Sequence, residues 1–76
     1  MFITVSRFPL KAFQEDEEIR KRAERIENHL RELALDVGLD PEKNVTHVTS
    51  DDEFRIGVSE EMDTYLREAP GDWRHY

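Results

Sequence analysis

A chain of 76 residues with a net charge of −7 and no cysteine makes one domain, with no disulfide or thiolate zinc site to reinforce it. So short a chain buries only about three-fifths of its unfolded surface, so stability must rest on one small core. The acidic balance argues against direct nucleic-acid or anionic-membrane binding, each of which needs a basic footprint, and favours a basic protein surface as partner.

The chain opens with Phe2-Ile3-Thr4-Val5-Ser6, rich in β-branched and aromatic residues, which reads as a first strand with Ile3 and Val5 on one side. Arg7 follows too soon for Met1–Val5 to be an export signal, and no apolar run approaches the roughly 20 residues of a membrane span, so the expected location is the cytoplasm. The connection from Arg7 to Gln14 carries Phe8, Leu10 and Phe13 around Pro9, side chains expected to fold back over the open end of the core.

From Glu15 to Val37 the apolar residues Ile19, Ala23, Ile26, Leu30, Leu33 and Val37 recur in steps of four and three, which predicts one long helix with all six on its inner face. Glu15-Asp16-Glu17-Glu18 is an acidic first turn suited to the helix N-terminus, and Gly38 is the stop signal. The outer face offers acid-first i,i+4 pairs: Asp16 with Arg20, Glu17 with Lys21, Glu18 with Arg22 and Glu27 with Arg31. The basic run Arg20-Lys21-Arg22 is flanked by acids and reads as a solvated helix face.

Gly38 to Asn44 is a connecting loop in which Pro41 bars helical continuation. Val45–Thr49 reads as a second strand, Ser50-Asp51-Asp52-Glu53 as a polar turn, and Phe54–Val58 as a third strand, the two forming an antiparallel hairpin. Ser59 is suited to cap a second helix whose apolar stripe is Met62, Tyr65, Leu66 and Ala69, ended by Pro70-Gly71. Residues 70–76 form a tail that is either flexible or folded back.

The order strand, helix, strand, strand, helix predicts a two-layer α+β domain spanning residues 1–76. Its three-stranded sheet carries both helices on one face, a ferredoxin-like layout without the last strand. Phe2, Thr4 and Arg55 are expected on the other face, with Val45 and His47 as further candidates, open unless Trp73 and Tyr76 or a second chain covers it.

Strand direction brings the helix start and the hairpin turn to one end. Glu15, Asp16, Glu17, Glu18, Asp51, Asp52 and Glu53 therefore form the candidate partner-binding surface, with Trp73 and Tyr76 of the tail as candidate anchors.

Chemistry finds less support. Exposed carboxylates on turns lack the pocket that separates the pKa values of an acid and a base. Asp51-Asp52-Glu53 lacks the glycine and spacing of a calcium loop, and His29, His47 and His75 share no metal-ligand spacing. No phosphate-binding glycine loop or nucleophile elbow is present. The expectation is a protein without catalytic activity, metal or cofactor.

In size and charge alone the chain resembles phage and plasmid counter-defence proteins, which block restriction or CRISPR enzymes. That resemblance implies an inhibitor acting as a nucleic-acid mimic on a basic surface. The alternative is a homo-oligomeric structural or regulatory adaptor, such as a homodimer.

Overall fold

The computed structural model describes residues 1–68. The elements are β1 (Phe2–Pro9), α1 (Leu10–Glu15), α2 (Glu17–Asp36), α3 (Pro41–Asn44), β2 (Val45–Thr49), β3 (Glu53–Ser59) and α4 (Glu60–Glu68). The three strands form one sheet in the order β1-β3-β2, with β3 antiparallel to both neighbours. The class is α+β, and β3 lies between two strands that run the same way.

The first strand is longer than its β-branched run suggests. Ile3 and Val5 share one parity and Phe8 has the other, so a regular strand cannot bury all three. A bulge between Thr4 and Ser6 inserts Val5 as an extra residue, after which Phe8 pairs with Phe54 across the sheet. The irregularity switches the parity, so Val5 packs on the core and Phe8 is buried within it. Pro9 then ends β1, and the Leu10 N–H donates to the Asp52 carbonyl at 2.9 Å, tying the next helix to the hairpin turn.

The long helix begins later than its periodicity predicts. Asp16 is extended (φ −106°, ψ 109°) and separates α2 from α1, a short helix that takes up most of the stretch expected as a connection. Glu15 thus closes α1. The Asp16 carboxylate caps α2, accepting from the Glu18 N–H at 3.0 Å and the Ile19 N–H at 3.5 Å. The break lets α1 turn its one aromatic ring inward, where Phe13 stacks on Phe54 with ring centroids 4.1 Å apart and planes 7° apart. Phe8 and Phe13 therefore do fold over the core.

α2 buries Ala23, Ile26, Leu30 and Ala34, with Ile19, Leu33 and Val37 half-buried. Two fully buried alanines let the helix approach the sheet closely. The helix ends in a complete Schellman motif: Leu39 N–H donates to the Ala34 carbonyl (2.8 Å) and Gly38 N–H to that of Leu35 (3.1 Å). Gly38 sits at φ +81°, a conformation that side chains disfavour. Pro41 blocks continuation but opens a single turn, α3, capped by Asp40 accepting from Glu42 N–H at 2.9 Å.

Ser59 caps α4, accepting from the Met62 N–H at 3.2 Å, and its hydroxyl donates to Asn44 Oδ1 at 2.6 Å, joining the β3–α4 corner to α3. In α4, Met62 is buried and Leu66 half-buried, whereas Tyr65 is exposed; Ala69 lies outside the described residues. Val45 is fully buried in the core and His47 faces α2, so neither lies on the open side of the sheet. The reason is register: Val45 stands opposite Val58 and His47 opposite Ile56, both core residues.

Two stability outcomes follow. Leu30→Ala, which empties a site with no solvent exposure, lowers stability by about 2–5 kcal/mol in a urea titration. Asp16→Ala removes the α2 cap and lowers it by about 1 kcal/mol.

Candidate interaction surfaces

The hairpin turn and the start of α2 lie at the same end of the sheet, linked through α1. The Leu10–Asp52 hydrogen bond fixes the turn to the start of α1. The six residues of α1, about 9 Å of helix, then separate it from Glu15–Glu18. At the α1–α2 joint, Pro9, Lys11, Ala12, Glu15, Asp16 and Glu17 line a shallow depression open to solvent.

The seven carboxylates singled out from the sequence are not equivalent. Asp16 is committed to the cap, and Glu17 pairs with Lys21 Nζ at 3.4 Å. Asp52 accepts from the Ser50 hydroxyl at 3.2 Å. Glu53 leaves the turn and lies beside Arg7 and Arg55 on the sheet. Glu15, Glu18 and Asp51 are exposed and carry no ion pair among the described residues, so they are the carboxylates available to a partner. Trp73 and Tyr76 lie outside the described residues.

Of the anticipated helix pairs, Glu17–Lys21 forms, and Glu27–Arg31 forms at 3.1 Å. With Asp16 acting as a cap, the Arg20 guanidinium instead donates to the Gln14 carbonyl at 3.5 Å.

Glu27 is the main correction to the sequence reading. It belongs not to the outer face but to the inner flank of α2, with only 12% of its side chain exposed. A carboxylate so placed must be compensated. Its Oε2 accepts from Arg31 at 3.1 Å and from His47 Nδ1 at 2.8 Å, and Oε1 lies 3.0 Å from the same nitrogen. Since a carboxylate can only accept, the His47 Nδ1 carries the proton. Arg31 also reaches Glu42 at 3.5 Å, and the His47 ring leans on Phe54 with centroids 5.3 Å apart. This network clamps edge strand β2 beneath α2. An inward-pointing polar pair of this kind also discourages sheet extension at an edge. The spacing Ala23, Glu27, Leu30, Ala34 was the available signal: a carboxylate within that stripe needs a partner across the layer.

The other face of the sheet carries Thr4, Gly57 and Thr46 in one row and Arg7, Arg55 and Val48 in the next. Among the described residues no three His, Cys, Asp or Glu are grouped to hold a metal ion, and no helix is long and apolar enough to cross a membrane.

Comparison of the chain with protein-family models, curated proteins and solved structures finds no match, so the functional reading rests on residues and geometry.

The clamp has a measurable signature. Glu27→Ala lowers stability by about 0.5–1.5 kcal/mol by removing the acceptor that His47 and Arg31 share. A double-mutant cycle with His47→Ala gives a coupling of about 1 kcal/mol in chemical denaturation, and additive effects would show that the contact contributes nothing.

Proposed function

We propose that this chain is a small acidic protein-interaction module whose α1–α2 end docks on a basic surface of a larger cytoplasmic protein. The surface it occupies is one that otherwise binds nucleic acid, so docking inhibits that protein. The observation that carries this reading is the set of uncommitted carboxylates, Glu15, Glu18 and Asp51, on a chain of net charge −7. The backbone that carries these carboxylates is already ordered in helix ends and a tight turn. The carboxylates can therefore replace phosphates on a basic surface at little further backbone entropy cost. Blocking of restriction or CRISPR enzymes is the counter-defence form of this activity, in line with the resemblance in size and charge.

A second reading, a homo-oligomeric adaptor, draws support from exposed Leu35 and Tyr65 on the helices. Sedimentation over a range of concentrations separates the two readings, since a monomer at every concentration removes the oligomer.

The direct test uses the full chain as bait in a host lysate at low and high salt, beside the triple variant Glu15→Lys/Glu18→Lys/Asp51→Lys. The expected partner is a basic protein retained at low salt, released at high salt and lost by the triple variant. Added wild-type chain then displaces nucleic acid from it. A partner that ignores both salt and charge reversal would sink the proposal.

A further inference from the structure

The open face of the sheet has a charge arrangement opposite to that of the whole molecule. Arg7 and Arg55 are direct cross-strand partners, so two like charges stand side by side, a pairing that costs stability. Among the described residues the only carboxylate that reaches either is Glu53, whose Oε1 lies 3.9 Å from Arg7 Nη1 and 3.8 Å from Arg55 Nε. Both separations exceed hydrogen-bonding distance. Consequently the Arg55 Nε–H, itself shielded from water, has no hydrogen-bond acceptor among the described residues. Two guanidiniums share one distant carboxylate and keep a local excess of positive charge.

Around this pair the face exposes two large apolar side chains. Val48 stands opposite Arg55 and is 55% exposed, and Phe2 at the far end of β1 is 50% exposed. Between them lies the row Thr4–Gly57–Thr46. Gly57 itself is buried: a Cβ there would lie 3.5 Å from both the Ile3 carbonyl oxygen and Phe2 Cβ and 3.7 Å from Thr46 Cγ2, so its neighbours close over it. Arg55 and Gly57 are two residues apart on one strand, about 7 Å, which is also the spacing of same-side residues in an extended peptide.

We propose that this face is a second docking surface, distinct from the acidic end, and that it accepts an extended acidic segment of a protein partner. One Asp or Glu of that segment pairs with the guanidiniums of Arg7 and Arg55, whose side chains are 62% and 36% exposed. The apolar residue two positions along rests on the exposed Phe2 side chain beside Gly57. Arginine suits this task because its planar fork binds a carboxylate through two parallel hydrogen bonds. Single-stranded nucleic acid is the less favoured occupant. It calls for several stacking aromatics and a broadly basic protein, whereas this face exposes one aromatic ring on a chain of net charge −7.

The experiment is an amide chemical-shift titration of the full chain with a blocked peptide, Glu-Ser-Leu-Ser-Glu-Ser, beside the same peptide with lysine for glutamate. The expected result is a concerted shift of Thr4, Arg7, Arg55 and Gly57 with the acidic peptide and none with the basic one. Arg7→Gln and Arg55→Gln, each shown by circular dichroism to be folded, weaken binding about tenfold, the loss of one charge-assisted contact. Glu53→Gln changes it the other way, tightening binding by freeing both guanidiniums, so a variant that merely damages the fold cannot imitate the pattern.

Shifts that spare these amides, or an equal response to the lysine peptide, would overturn the proposal. An oligothymidylate that moves the same amides at lower concentration would reassign the face to nucleic acid and overturn it too. So would a dimer in sedimentation that Arg55→Gln converts to monomer, since a second copy would then be the occupant. The triple variant of the acidic end binds the peptide like wild type, which keeps the two surfaces separable.

Discussion

A three-stranded sheet has two faces, and a chain of this size has helices enough to cover one of them. The central strand β3 carries that constraint. Phe54, Ile56 and Val58 alternate onto the covered side, and every other core residue is positioned by contact with this row. Phe8 and Val45 flank it within the sheet, Ala23, Ile26, Leu30 and Ala34 close it from α2, and Met62 closes it from α4. Among the described residues no charged or polar residue is fully buried, so this core is held by apolar contact.

Polar groups instead do their work at the margins of the core. The Glu27–His47–Arg31 cluster fastens the β2 edge to α2, and the Ser59–Asn44 hydrogen bond fastens the opposite corner. Both replace side-chain freedom with charge-assisted or well-aligned hydrogen bonds at positions where the core is thinnest. The sheet edge at β1 is managed differently, by a bulge and a terminal proline. A small domain thus blunts both of its edges without spending residues on a further layer.

One-sided coverage also sorts the charges. Carboxylates collect where helices start and where the hairpin turns, because both places favour them locally. Among the described residues the sheet face opposite the helices keeps a pair of arginines and a single carboxylate that reaches neither well. The molecule therefore offers two chemically opposite surfaces, one at its α1–α2 end and one on its bare sheet. A net charge read from composition averages over that difference.

The order of the three strands and the two main helices, the fold class and the stop at Gly38 were legible in the residues themselves; α1 and α3, both read as connections, were not. Periodicity, Gly38 as a stop and Ser59 as a cap act over a few neighbouring positions, so their outcome needs no knowledge of the rest of the chain. The two-layer arrangement followed from that order. What local pattern could not reach was decided by contacts between distant segments. Phe8 could join the core only after a bulge matched β1 to β3. Phe13 could reach Phe54 only once Asp16 separated α1 from α2. Register alone put His47 beneath α2, where Glu27 needed a donor, and set Arg7 beside Arg55. Residues far apart in sequence meet through register and layer packing, and these are properties of the assembled sheet. The acids were visible in the sequence; which of them remain uncommitted was settled by the fold.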